Sequence, residues 1–343
     1  MKVTVIDSSI EAAKAICEKL SAKEGFLTAY LSGSPENIFD KLIKSQPDVI
    51  LLDIELANLV GIELLSNLMK YHPFPIVLTC FPTQKGKLSI VEGMEHGAVD
   101  FLPKPASYFP DFIDEYINEL ALKLRTARQV DIQRLITILK SDYKTSPSEI
   151  PKEYKKKVVV FGISNCSTEP FRKILAKLPH EFPSVIGVLD MPGGFTKLFA
   201  DRLNEVTKLE VKEAIEKDEL IEGRVIIAQG GFHLKIPEFK NKPFVEVFIS
   251  EKVNHKRPSI DVLMLSVAEH IGRDAIGVLL SGTGEDGVVG LKAMKMSGAD
   301  TIIIKPDTAI ISDRLQRAEN FASHTHSVIY EDLPDLLMDL VQK

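Results

Sequence analysis

Short runs of apolar residues alternate with amphipathic stretches along nearly the whole chain. In the first 120 residues the apolar runs fall at Lys2 to Ile6, Leu27 to Leu31, Asp48 to Leu52, Pro75 to Thr79 and Val99 to Leu102. Runs of this length, rich in Val, Ile and Leu, predict strands. Between them apolar residues recur at helical spacing, which predicts helices running through Leu20, around Ile43, to Tyr71 and near His96. Strands alternating with helices predict a doubly wound five-stranded parallel sheet, because parallel strands need crossover connections and helices supply them.

From about Asp111 to Lys140 the spacing is helical, with apolar positions at Phe112, Ile113, Ile117, Leu120, Leu122 and Leu124, then at Ile132, Leu135, Ile136 and Leu139. The stretch Ser141 to Lys157, SDYKTSPSEIPKEYKKK, is rich in Ser, Pro and Lys and reads as a linker. Alternation then resumes. Strands are predicted at Val158 to Phe161, Val185 to Leu189, Ala275 to Leu280 and Thr301 to Ile304. Helices are predicted through Leu178, from Phe195 to Leu203, Ser259 to Ile271 and Val288 to Met296, and from Leu333 onward. Between Val211 and Ser250 the signals are shorter, with strands at Arg224 to Ala228 and Phe244 to Ile249 between Gly and Pro punctuation, which predicts a β-rich insertion. The expected organisation is an N-terminal α/β domain over 1–120, helix and linker over 121–156, and a C-terminal α/β domain over 157–343 with a mainly parallel sheet.

Composition narrows the function classes. The 343 residues are 45% hydrophobic and 26% charged, with a net charge of −6, which argues against nucleic acid or an anionic membrane as the main partner. No apolar run approaches the roughly 20 residues that span a bilayer, and the chain enters a strand at once instead of a signal peptide, so a cytoplasmic location is expected. Cys17, Cys80 and Cys166 lack CxxC spacing and predict neither a disulfide framework nor a zinc site.

Open parallel sheets bind ligands beyond the C-terminal ends of their strands. In the first domain those ends carry Asp7 and Ser8, then Asp53, Thr79 and Lys104. Two acids, a small hydroxyl and a lysine on one edge suit phosphate with a hard divalent cation. Here the domain resembles a response-regulator receiver. PDVILLDIE resembles that family's phosphoacceptor strand, which makes Asp53 the aspartate phosphorylated by a histidine kinase. Thr79 matches its switch hydroxyl, and GAVDFLPKP carries its lysine at Lys104. The resemblance implies Mg²⁺ at Asp7 and Asp53. Receivers usually carry two adjacent acids after the first strand, and Ser8 replaces one, which predicts weaker metal binding. The family's Met-Pro-x-x-Asp-Gly loop is here Leu56 to Gly61, LANLVG.

In the second domain Ser164 follows an apolar strand and precedes a helix that tolerates Pro170 in its first turn. Asp190 ends the next strand, and a later one runs into Ser281-Gly-Thr-Gly-Glu-Asp286-Gly287. If the strands are parallel, Ser164, Asp190 and Asp286 share one sheet edge. A serine needs a base to attack an ester or amide at neutral pH, and a carboxylate serves poorly unless burial raises its pKa.

The stretches FGISNCSTEPFRKIL, MPGGFTKLFADRLN, KRPSIDVLMLSVAEHIGR and AIGVLLSGTGEDGVVGLKAM resemble the effector half of the chemotaxis response-regulator protein-glutamate methylesterase. In that family a Ser-His-Asp triad hydrolyses γ-glutamyl methyl esters on chemoreceptors and deamidates receptor glutamines, and receiver phosphorylation relieves a block on the site. The resemblance makes Ser164 the nucleophile and Asp286 the orienting acid, and it puts Asp190 at the position of the histidine base. The family's Gly-Ala-Ser-Thr-Gly-Gly is here Gly162 to Ser167, GISNCS, with two glycines lost. Thr283 stands where Met is common, and Lys305 where Gln is usual. Of the other candidates, His233 and His255 flank the family's site region but read better as structural or surface residues. His324 and His326 would share a strand face without an evident acid partner, and Cys166 reads as a small packed thiol. The implied partners are a chemotaxis histidine kinase and chemoreceptor helices, with no cofactor in the effector domain. The lost base leaves two readings open: a receiver-controlled methylesterase and deamidase with impaired catalysis, or a non-catalytic regulator or scaffold that binds receptor or kinase.

Overall fold

The structure is a computed structural model that describes residues 1–56, 60–105, 110–141, 143, 157–238 and 242–342. It divides into two units, Met1–Leu139 and Lys140–Lys343. The first unit contains β1 (Lys2–Ile6), α1 (Ile10–Ser21), β2 (Leu27–Leu31), α2 (Pro35–Ser45), β3 (Val49–Asp53), α3 (Val60–Tyr71), β4 (Ile76–Thr79), α4 (Gln84–Glu95), β5 (Asp100–Phe101), α5 (Pro110–Ala127) and α6 (Ile132–Lys140). Its sheet is parallel throughout, in the order β2-β1-β3-β4-β5. The strand order reverses between β1 and β3, which opens a crevice beyond their C-terminal ends. Asp7 and Asp53 stand there. Every residue of β3 is buried, as its unbroken apolar run requires of a central parallel strand.

The continuous helical spacing from Asp111 to Lys140 resolves into two helices. The break comes at Asp131, whose carboxylate accepts the Arg134 N–H at 2.9 Å and so caps α6. Helix α5 runs through residue 120, and the first unit continues to Leu139.

The second unit contains β6 (Val158–Ile163), α7 (Thr168–Lys177), β7 (Ser184–Leu189), α8 (Phe195–Val206), β8 (Glu210–Glu213), β9 (Arg224–Ile227), β10 (His233–Lys235), β11 (Glu246–Phe248), α9 (Ile260–His270), β12 (Ala275–Leu279), α10 (Val288–Met296), β13 (Asp300–Ile304), α11 (Asp313–Asn320), β14 (His326–Val328) and α12 (Leu333–Val341). Seven strands form a parallel sheet in the order β14-β13-β12-β6-β7-β9-β8. The expected insertion is smaller than its signals suggested. Strand β9 lies within the main sheet and β8 is its edge, leaving β10 and β11 as a separate antiparallel pair. The charged sequence of β8, EVKE, suits an edge that must not recruit another strand.

The expected linker is tied to the second unit at both flanks. Tyr143 is buried, with Lys173 Nζ 5.6 Å from its ring centroid, and Lys173 also donates to the Ser141 carbonyl at 2.8 Å. Lys157 is buried too and donates to the Leu340 carbonyl at 2.7 Å. The rest of that stretch, residue 142 and residues 144–156, lies outside the described residues, as do Ala57 to Leu59 after β3. Among the described residues no helix is long and apolar enough to cross a membrane.

Candidate active site

At the crevice of the first unit, Asp7, Asp53, Thr79 and Lys104 are all buried. Lys104 Nζ lies 2.9 Å from Asp7 Oδ2 and 2.9 Å from Asp53 Oδ2. Burial would push this ammonium's pKa down, but the two carboxylates outweigh it and hold the pKa above the ordinary lysine value. Ser8 Oγ donates to Asp53 Oδ2 at 2.7 Å, and the Glu55 N–H to Asp53 Oδ1 at 3.0 Å. Thr79 Oγ1 is 3.4 Å from the Tyr116 hydroxyl. Asp7 Oδ2 is buried and makes only the ion pair with Lys104, without an aligned hydrogen bond. Two carboxylates, one with oxygen capacity to spare, fit a hard divalent cation that keeps much of its water. Ser8 adds a hydroxyl where a third negative charge would bind more strongly.

In the second unit, Ser164 follows β6, Asp190 follows β7, and the loop 281–287 follows β12. These are three neighbouring parallel strands, so all three positions lie at one edge. The residues after Ser164 make a 3₁₀ turn, Asn165–Ser167, closed by the Ser167 N–H on the Ser164 carbonyl at 2.8 Å. No residue of this turn has a positive φ, so its backbone conformation does not require glycine.

Each of the three residues has its own partners at this edge. Ser164 Oγ donates to the Ser281 carbonyl and contacts Cys166 Sγ at 3.1 Å and Ser167 Oγ at 3.3 Å. Ser281 is held from below, since its Oγ lies 2.5 Å from the buried Tyr330 hydroxyl and accepts the Ile310 N–H at 3.0 Å. The Asp190 carboxylate, half-exposed, forms an ion pair with Lys256. Asp286 is buried and caps α9, accepting Ser259 Oγ at 2.6 Å, the Ile260 N–H at 2.9 Å and the Asp261 N–H at 3.1 Å.

Both units thus carry acids and hydroxyls at parallel strand ends, and sequence comparison says which families build such an arrangement. Residues 3–109 match the response regulator receiver domain and residues 159–337 match CheB methylesterase. The whole chain is 34% identical to the protein-glutamate methylesterase/protein-glutamine glutaminase of Syntrophotalea carbinolica, of which it covers 98%. The chain belongs to the CheB methylesterase family. A second CheB-type relative, from Sulfurimonas denitrificans and of the same name, is 34% identical over 91% of this chain and 90% of its own length. The crystal structure of the Thermotoga maritima CheB methylesterase catalytic domain aligns with a TM-score of 0.53 at 32% identity, covering 55% of this chain and all of that one. The fold is accordingly the CheB arrangement of an N-terminal receiver and a C-terminal α/β catalytic domain.

The remaining histidines take structural places. His233 is buried, receives the Ser259 N–H at 3.3 Å and bonds the Glu251 carbonyl at 3.0 Å, while His255 is exposed. His324 precedes β14 and does not share a strand with His326. His326 has the acid partner that its sequence did not reveal, Asp300 at 3.3 Å on the neighbouring strand. Two residues absent from the sequence reading stand at this CheB edge. Lys256 carries no distinguishing signal in the basic stretch NHKRP. Arg314 lies in α11, a helix so polar that an arginine there reads as a solvated charge, yet it is only 5% exposed.

Proposed function

We propose that this chain is a receiver-controlled chemotaxis regulator whose effector domain acts at the γ-carbonyl of receptor glutamate derivatives, as methylesterase and glutamine deamidase, with a slowed hydrolytic step. It would work in the cytoplasm, take phosphate at Asp53 from a chemotaxis histidine kinase, and meet chemoreceptor helices at the Ser164 edge. The observation that carries this reading is full-length similarity to CheB-type enzymes combined with Ser164 and Asp286 at neighbouring strand ends.

In the reaction Ser164 Oγ attacks the γ-carbonyl carbon, methanol or ammonia leaves, and water then releases the glutamate acid. The first step needs a proton acceptor. The Ser281 carbonyl that receives the Ser164 hydroxyl is not a base at neutral pH. Asp190, proposed to occupy the base position, surrenders its attraction to Lys256 when it takes a proton, which makes it a weak acceptor. Loss of a base in comparable serine chemistry lowers kcat by about a millionfold. At the receiver, Asp7 and Asp53 would hold Mg²⁺, which would offset negative charge on an incoming phosphoryl group.

The test is methanol release from a methylated chemoreceptor fragment by the full chain treated with a small phosphodonor. Slow turnover that disappears in Ser164→Ala supports the proposal. Receptor binding with no turnover would replace it with the non-catalytic regulator.

A further inference from the structure

Among the described residues, Arg314 is a buried charge at the Ser164 edge whose partners are incomplete. Its backbone N–H donates to the Gly282 carbonyl at 3.0 Å, and its side chain lies flat against the same loop: a Cβ on Gly282 would come within 2.8 Å of Arg314 Cζ. The guanidinium makes a single long hydrogen bond, Nη2 to the Thr283 carbonyl at 3.3 Å, while Nε and Nη1 have no partner. It therefore sits on the two residues that follow the carbonyl receiving Ser164.

The acids nearby are engaged elsewhere. Asp286 faces the start of α9, Asp190 pairs with Lys256, and Asp261 accepts the Gly290 N–H at 2.6 Å and Asn254 Nδ2 at 2.7 Å. Among the described residues no carboxylate lies within ion-pairing distance of Arg314. Leaving a buried guanidinium with one long hydrogen bond is costly, and buried charges are normally paired. An anion entering past half-exposed Ser164 and Thr283 would supply the missing acceptors. Arginine is suited to this, because it stays protonated and presents several donors to a carboxylate.

We propose that Arg314 is a carboxylate-binding residue of the Ser164 site, so that the effector domain holds the free γ-carboxylate of glutamate in preference to its neutral ester or amide. This rests on the reading of the domain as one that engages receptor glutamates. The acid is the product of the proposed reaction, so the chain would stay on receptor sites that are already demethylated.

The test has two arms on the full-length protein. In the first, the Arg314 Nε–H resonance is followed while glutarate is titrated. In the second, helical chemoreceptor peptides carrying Glu, Gln or Glu γ-methyl ester at one position are bound in a Ser164→Ala background, where no turnover consumes the ester. Glutarate should shift the Arg314 resonance. The Glu peptide should bind about tenfold more tightly than the other two, the factor that a charge-assisted hydrogen bond supplies. Arg314→Met should erase that difference and Arg314→Lys retain part of it. If glutarate shifts the resonance but no peptide binds, the anion site stands and the receptor reading fails. If all three peptides bind alike and the resonance does not move, the receptor reading stands and this inference is overturned. The resonance arm uses the unsubstituted arginine and so survives any folding failure of Arg314→Met.

Discussion

Ser164 hydrogen-bonds the carbonyl oxygen of Ser281, an acceptor that cannot take its proton, and the Asp190 carboxylate, after the neighbouring strand, is ion-paired with Lys256. The other contacts of the Ser164 hydroxyl, Cys166 Sγ and Ser167 Oγ, are neither carboxylate nor imidazole. Placing a histidine at position 190 should therefore do little by itself. In Asp190→His the new imidazole would need Asp286 to fix its tautomer, and that carboxylate is already occupied by Ser259 and the first N–H groups of α9. An imidazole held in the wrong tautomer costs about 10⁴ in kcat in comparable triads, so Asp190→His should raise methanol release by less than about tenfold. Recovery to the rate of a full-triad relative would show that Asp286 can leave α9.

Asp286 also has a structural duty, and removing it should cost stability independently of catalysis. Asp286→Ala strips the acceptor from the start of α9 and should lower the unfolding free energy by about 2 kcal/mol, in the range of lost helix caps and unsatisfied buried donors. Asp286→Asn keeps one acceptor oxygen and should lose less. Urea unfolding of the full chain checks both, and equal stability of all three proteins would contradict the capping role.

Asp261 gives the effector unit a pH dependence of definite sign. Burial raises its pKa above 3.8, opposed by the Gly290 N–H and reinforced by the Asp286 carboxylate. The folded state then keeps a proton that the unfolded chain has released. Stability contributed by this site is highest below the unfolded value and falls as pH rises through the folded one. Urea midpoints should therefore carry a decline as pH rises above the ordinary aspartate value, and that decline should be shallower in Asp261→Asn. An identical slope in both proteins would refute the assignment.

In the receiver, Lys104 is the only cation holding the buried Asp7 and Asp53 among the described residues. Lys104→Met should lower stability by about 3–5 kcal/mol, the usual cost of stripping one partner from a buried ion pair. Millimolar Mg²⁺ should recover part of that loss, and should recover less in a variant that also carries Asp7→Asn. Thermal unfolding with and without MgCl₂ reads this directly. If Mg²⁺ has no effect on either variant, the two carboxylates do not form the cation site.

Most of the fold could be read from the chain because the central strands are buried on both faces. β3, β6, β7 and β12 are apolar along nearly their whole length, and their ends announce Asp53, Ser164, Asp190 and the Gly-rich loop. The edges were harder. β8 is charged, β14 is only His326–Val328, and α11 buries little besides Arg314, Leu315 and Ala318, so none carries a periodic apolar signal. The site was legible where residues follow strands directly. Lys256 and Arg314 reach it from a loop and a helix far along the sequence, and nothing local marks either as near Asp190 or Ser164. The same limit hid Asp286's bonds to α9, because spacing alone did not show which helix would start beside it.

The anchoring of Tyr143 and Lys157 changes what the segment between them can tolerate. With both flanks fastened to one body, residues added between them join two points that the same unit already holds. The entropic cost of such lengthening grows only logarithmically, about 0.6 kcal/mol per doubling. A tag or reporter inserted between Tyr143 and Lys157 should thus leave the sheet edge bearing Ser164 as it is.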